Sequence, residues 1–576
     1  MITLNNINLS SIDLSGIDLR GIKLGLGGRG GGSSDGFPVL PGDVTRWHFG
    51  GLTNEMMAAM DDPRIEDADH KGRFLSFKNF AWGGMSGVNG YVQNFNYFRN
   101  NATVDKVRID EQSSNSIKVT LLTSGMGHVI YIPKDVYQFN KSYFIKISSE
   151  GYNEGDLFLS FYAPSTSTAT TVKVPLNPNG ITEIPAIKED DFLAVYLFNA
   201  AGKVGSITIE QLPLYPGFIL GDGVGDFAVT EKELNFEDTY TVYTAFIPFQ
   251  DDPARNMILC GKNDTKDFTI NYSGTHLNFK PSTGVNLAVR IDQFTLLVCK
   301  RNKDITTIIN LSTGESRSLK SVEFISNPGL YYLWRNVFAT FHAKAAIAGQ
   351  IIDNGHFTTD EEDENILNWH KKQYPWLFPY QAWTVVGKTN EDEDRATIAN
   401  ITGNGNDLVL SNFGFAEGSG YNEEGEYAGY LVTDGVDDMI TSSAFNIGKD
   451  FTIVGDWKFI DNKKSGTGLV KGSSFYIYNT MIGLDLYINS GSVKNSLDGI
   501  KSINAACSDG RAYDRNWNEI LANTGNVVGS GGTLEVSSSG GRFDRIAFKN
   551  LAIYPRILSK EDCIKAYNYL QTLKAK

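Results

Sequence analysis

The chain has 576 residues, too many for one domain; a length of this kind suggests about four. Its 59 glycines suit a turn-rich β protein, and its formal net charge of -14 argues against nucleic acid, which needs clustered Lys and Arg, while keeping many copies soluble and apart. No stretch of about 18 apolar residues occurs, so no membrane insertion through a helix is expected.

The first 24 residues repeat every five. Ile stands at Ile2, Ile7, Ile12, Ile17 and Ile22, and Leu at Leu4, Leu9, Leu14, Leu19 and Leu24, usually with a polar residue between. A helix repeats near 3.6 residues and a strand near 2, so this period fits neither. The repeat resembles pentapeptide-repeat β-helices, but that family prefers a small residue where Ile stands here, and five repeats cannot bury a core alone. The favoured reading is an anchor, 1–24, of extended Ile-x-Leu pieces docked in grooves of a partner or bundled with sister chains. Extended, Ile2 to Leu24 spans roughly 75 Å. A self-contained β-helical cap and a disordered tail are the alternatives. There is no basic n-region followed by an apolar core, so no signal peptide is expected. GLGGRGGGSSDG (Gly25–Gly36) follows and reads as the start of a flexible hinge, 25–44.

Beyond residue 45 short strand-like runs dominate. DKVRID, SIKVTLL, HVIYIP, YFIKIS, LFLSFYA, TTVKVPL, FLAVYLF and SITIEQL alternate apolar and polar residues, as half-buried strands do. Residues 96–213 therefore predict a complete antiparallel β-sandwich. Two helices stand out. One spans Thr358–Tyr374, with Thr359 as cap, Glu362 at the third helical position and acids in its first turn. The other follows Ser559, with Asp562 in the matching place. Cys260, Cys299, Cys507 and Cys563 show no CxxC spacing and read as buried thiols of a protein made in the cytosol.

Two passages echo each other. Thr-Asn-Glu recurs at 53–55 and 389–391, Asn-Phe at 79–80 and 412–413, and Ser-Gly at 86–87 and 419–420. In the second passage the chain runs directly into LVTDGVDDMI (Leu431–Ile440); in the first, the equivalent FILGDGVGDF appears only at Phe218–Phe227. The expectation is one domain built from 45–95 plus 214–380, interrupted by the 96–213 sandwich, and an uninterrupted copy at 381–576. Chance matches between domains in series are the alternative.

ITGNGNDLVLSNF, YLVTDGVDDMITSS and FDRIAFKNLAIYPRILSKEDCIKAYNYL resemble the laminin-G/concanavalin-A-like jelly-roll family. The resemblance covers 400–576 well and 218–374 loosely; Gly225 replaces the first acid of the family's Asp-Asp pair. It implies an all-β, multi-domain chain of two concanavalin-A-like jelly rolls plus one inserted sandwich, with an extended N-terminal anchor and two short helices. The combination of a short repeat, a Gly hinge and jelly-roll copies carrying TNEDEDRATIANITGNGND resembles virion fibre proteins, of head or tail, of crAss-like and related phages of gut Bacteroides.

Four constellations could carry chemistry. DGVGD and DGVDD offer Asp222, Asp226, Asp434 and Asp438 to a hard cation such as calcium, although an Asp-Gly turn needs the same residues and is the favoured reading. The acidic runs Asn390–Arg395 and Thr359–Glu364 do not set two carboxyls across one bond, as a glycosidase requires. The seven histidines form no supported His-x-x-x-His pair, and no GxSxG elbow or Walker A loop occurs. For sugar, Arg511, Tyr513 and Trp517 in one copy and Tyr332 and Trp334 in the other offer rings and a guanidinium, with core packing as the plainer use.

The expectation is a non-enzymatic virion protein without a cofactor, made in the host cytoplasm. The resemblance implies that residues 1–24 attach to other virion proteins, capsid or tail. The chain would form a homo-oligomer, a trimer before a dimer, and its modules would adhere to host-surface glycans. A polysaccharide-binding protein of the host bacterium and a glycan depolymerase are the alternatives.

Overall fold

The computed structural model describes residues 36–575 apart from 102–105, 163–171, 190–191, 250–256, 263–267, 274–275, 281–285, 290, 321–328, 336–341, 461–466, 472–474, 480–482, 489–495, 499–502, 522–530, 537, 540–541 and 544. Among these residues the chain forms four eight-stranded and two five-stranded sheets with two small ribbons, and every strand pairing is antiparallel. The protein is a multi-domain β-sandwich protein.

Alternation decides which face each strand buries. In Ser116–Leu121, Ile117, Val119 and Leu121 are buried while Ser116, Lys118 and Thr120 are not. The strands between Arg99 and Gln211 pair only with one another, in two five-stranded sheets. Their inner faces close on one cluster that includes Val119, Ile130, Ile147, Leu159, Leu197 and Ile209.

The strands flanking that sandwich pair across it: Val88 lies opposite Ile219, and Phe77 opposite Ala228. The large sheet so formed runs Glu315–Lys320, Ile305–Asn310, Thr295–Asn302, Thr239–Pro248, Lys344–Asn354, Ile219–Asp222, Gly87–Val88, and Asp43–His48 also pairs with Lys344–Asn354. The sheet at the C-terminal end runs Glu519–Leu521, Arg511–Asp514, Ile503–Cys507, Thr452–Phe459, Ile546–Tyr554, Tyr430–Val432, Gly420–Asn422, with Gln381–Thr384 pairing with Ile546–Tyr554. The order is the same, strand for strand. The facing sheets, from Arg64–Glu66 to Asn286–Ala288 and from Thr397–Ile398 to Ser496–Asp498, also match in order. The two copies share a bulge at the same place in this sheet, between Ala245 and Phe246 and between Asp456 and Trp457.

Three α-helices occur among the described residues. α1 (Asn54–Ala58), capped by Thr53, is a short turn that the sequence pattern does not announce. α2 (Asp360–Gln373) has the expected capping box: the Thr359 hydroxyl accepts the Glu362 N–H and the Glu362 carboxylate accepts the Thr359 N–H. α3 (Lys560–Thr572) is capped by Ser559, which accepts from Asp562 N–H. Ile366 and Leu367 of α2, and Ala566, Tyr567 and Leu570 of α3, enter one apolar layer with Phe218, Leu296, Val454 and Ala552 from the outer faces of the two large sheets. This layer welds the copies together. Trp376, in the linker between them, is 1% exposed within it, and the Tyr554 hydroxyl donates to its carbonyl at 2.9 Å. Burying one such aromatic is worth roughly 1.5–3 kcal/mol. All four cysteines are buried free thiols.

Candidate functional site

The repeated words of the sequence build one repeated local structure. Asp222 Oδ1 accepts the backbone N–H groups of Val224 (2.7 Å), Gly225 (3.2 Å) and Asp226 (3.4 Å); Asp434 Oδ1 accepts those of Val436 (2.7 Å), Asp437 (3.3 Å) and Asp438 (3.5 Å). Asp226 Oδ2 accepts Asp222 N–H and the Ser86 hydroxyl; Asp438 accepts Asp434 N–H and the Ser419 hydroxyl. Asn54 clamps Val88 through both backbone groups, and Asn390 clamps Tyr421 in the same way. Asn79 (φ 67°) and Asn412 (φ 68°) take the left-handed conformation at equivalent points, and each amide donates to a carbonyl of the acidic turn.

These carboxylates tie turns. The oxygens of Asp434, Asp437 and Asp438 lie within 4.8 Å of one another. Asp434 Oδ1 accepts three backbone amides, and Asp438 accepts the Asp434 N–H and the Ser419 hydroxyl, so each carboxylate has a use within the turn. In the other copy Gly225 stands where Asp437 stands here, so the three-carboxylate group is not repeated.

The aromatic residues singled out for sugar lie in the core. Trp334 and Tyr513 are 0% exposed, Trp517 1% and Tyr332 7%. The Trp334 indole donates to the Ala345 carbonyl at 2.8 Å and stacks near Phe49, while Trp517 meets the edge of Tyr567. A buried ring has no face for a pyranose, so these positions are corrected to packing roles. Arg511 is committed to the Asp509 carboxylate at 2.7 Å. The anchor residues Ile2, Leu4, Ile7, Leu9, Ile12, Leu14, Ile17, Leu19, Ile22 and Leu24 lie outside the described residues.

Two polar features escaped the sequence reading. Asp456 occupies the bulge position that Ala245 holds in the other copy. It is buried, accepts the Tyr430 hydroxyl at 2.8 Å and pairs with Arg515 at 3.1 Å and Lys549 at 4.0 Å. The Glu183 carboxyl, from the sandwich between Arg99 and Gln211, belongs to the same charge group and is pushed up by burial and then by Asp456; the Lys458 ammonium is pushed down by burial.

The second feature is a cleft of about 300 Å³ where the two copies meet. Phe294, Phe378, Tyr380, Asn404, Lys371 and Arg556 line it. Gln293 of one copy donates to the Ile401 carbonyl of the other at 2.7 Å, and Phe294 N–H donates to the Tyr569 hydroxyl at 2.9 Å, which fixes the walls. Phe378 and Tyr380 are half-buried lining residues; the Phe378 ring meets that of Phe294 at 5.1 Å and the Tyr380 ring that of Phe445 at 6.2 Å. Its signal in the sequence is the linker PWLFPY, Pro375–Tyr380, whose rings and prolines are too dense for a mere tether.

No protein-family model and no curated protein matches the sequence. Among solved structures, the receptor-binding domain of botulinum neurotoxin D aligns at 8% identity and a TM-score of 0.26, over 60% of this chain and 90% of that one. The botulinum neurotoxin type G receptor-binding domain aligns at 9% and 0.26, over 59% and 91%. A mutant of Trypanosoma rangeli sialidase displaying trans-sialidase activity aligns at 9% and 0.20, over 54% and 68%. Likeness at this level carries no argument about what the present chain does.

Proposed function

We propose that this chain is a structural protein of a bacteriophage virion, an oligomeric head or tail fibre. Residues 1–24 attach it to capsid or tail proteins, and its β-sandwich modules adhere to host-surface glycans. The virion part rests on the sequence resemblance. The glycan part rests on one observation: the solvent-open cleft between the jelly rolls combines half-buried rings with amide and cationic groups, the mixture that holds a sugar. The domain division at 45–95, 96–213, 214–380 and 381–576 belongs to the same proposal and follows the strand pairings.

The role is adhesion without catalysis. Both acidic runs have structural uses: Asp392 accepts the N–H and hydroxyl of Thr389, Asp394 pairs with Lys388, and the acids of α2 occupy its first turn. Weak sites repeated around a homotrimer gain effective concentration by multivalency. The test is adsorption of the full-length protein to capsulated host cells and to their purified capsular polysaccharide. Binding without release of reducing sugar supports the reading. Release of reducing sugar would make the chain a depolymerase, and absence of binding to both would overturn glycan adhesion.

A further inference from the structure

We propose that the cleft between the two jelly rolls takes an anionic, carboxylate-bearing sugar residue of a polysaccharide, with the carboxylate held by Arg556 and Lys371 and the ring of the sugar against Phe378 and Tyr380. The proposal rests on the adhesion reading and names the ligand class for it.

Charge is the first argument. The whole chain has 66 acidic residues against 52 Lys and Arg. The residues lining the cleft include Lys371 and Arg556 and no Asp or Glu. The bias at this one concave place is opposite to that of the molecule.

Arg556 is the second argument. It follows Pro555 at the end of strand Ile546–Tyr554, and Thr452 Oγ1 donates to its carbonyl at 2.9 Å, so its backbone is held. Its Nη1 donates to the Lys371 carbonyl at 3.0 Å, in the last turn of α2. Among the described residues that is the only hydrogen bond of the guanidinium, and no carboxylate lies within 4.0 Å of it. A guanidinium presents five donors in a planar fork that matches a carboxylate. Burial also pushes its pKa down, the direction expected of a cation lacking a counter-charge. Lys371 is tied only loosely, its Nζ 3.9 Å from the Glu364 carboxylate, and its side chain is 33% exposed.

Shape is the third argument. About 300 Å³ is at the lower end of ligand sites and accommodates one or two sugar residues of a longer chain. Asn404 donates to the Tyr380 carbonyl at 2.7 Å, which holds the amide at the mouth for ring hydroxyls.

The experiment is calorimetric titration of the full-length protein with tri-galacturonate and tri-guluronate, with their methyl esters, and with inorganic phosphate. Binding of an acidic trisaccharide at least ten-fold tighter than its ester, weakened at least ten-fold by Arg556→Gln and separately by Lys371→Gln, is the expected result. Lys371→Gln leaves the carbonyl that Arg556 uses in place, so it guards against loss through misfolding. Equal affinity for acid and ester, binding unaffected by both substitutions, or phosphate competing as well as the sugars would overturn the proposal. If no trisaccharide binds while the protein still adheres to host cells, the anionic-sugar assignment fails and adhesion stands. If neither occurs, both fail.

Discussion

Gly87 and Gly420 sit where a Cβ would fall 2.4 Å from Asn54 Oδ1 and 2.5 Å from Asn390 Oδ1. The two asparagines need that closeness, because each clamps the strand beside the glycine through its backbone. Gly420→Ala is therefore expected to destabilise the C-terminal jelly roll by about 1–3 kcal/mol through overpacking, read as a lowered denaturation midpoint. The acidic turns give a pH signature. Burial holds the carboxyls of Asp226 and Asp438 protonated up to about 6, whereas in the unfolded chain they ionise near 3.9. Between those values the folded state binds more protons, so this contribution to stability is present at low pH and is lost as pH rises through about 6. The double variant Asp226→Asn, Asp438→Asn should lose less melting temperature than the wild type between pH 4.5 and 7, and an identical pH profile would contradict the assignment. At this scale Thr-Asn-Glu, Asn-Phe, Ser-Gly and Asp-Gly-Val were legible as repeats, because short polar residues that bond backbone must keep their spacing. The aromatic candidates misled. An alternating strand does not say which of its faces is core when both faces are covered, and both faces of these large sheets are.

α2 shows how far an element can be read from its own residues. The acids of its first turn, the Thr359 cap and the stop at Tyr374 before Pro375 are local signals, and the helix forms between them. Thr359→Ala is expected to cost about 1 kcal/mol by chemical denaturation. What the sequence does not announce is that Asp363 turns inward to pair with Lys300, both side chains almost fully buried at 3% and 2% exposure, with Tyr243 and Thr358 donating to Asp363 at 2.7 and 2.8 Å. In an acidic run Asp363 looks like one more dipole partner. Asp363→Ala would strand the Lys300 charge in the interior and is expected to cost about 3–5 kcal/mol, several times the cap; a loss of the same size as Thr359→Ala would show that the pair is not buried in solution. The Asp456 group was hidden for a related reason. Its partners come from 430, 515 and 549, and no window of sequence brings those together.

For the whole molecule, the strand order of the two jelly rolls agrees even though they share only short words of sequence. The direct pairing of Val88 with Ile219 carries the chain past more than a hundred residues of another sandwich. The displaced DGVGD motif, set against the repeated words of 53–87 and 389–420, was the sign of that in the sequence. The cleft left only the dense rings and prolines of Pro375–Tyr380 as a sign, because it exists only once the linker aromatics and both large sheets meet. In the proposed fibre, each subunit presents one such cleft beyond a Gly-rich hinge, and binding strength comes from the number of subunits engaged. The most direct test is docking of the full-length chain and a 37–576 version onto purified particles that lack the protein, with occupancy read by cryo-imaging and equal folding of the two forms checked by their melting curves. Attachment through the Ile-x-Leu repeat predicts that only the full-length chain decorates the particles. Equal decoration by both forms would contradict it and would place the contact on the β-sandwiches.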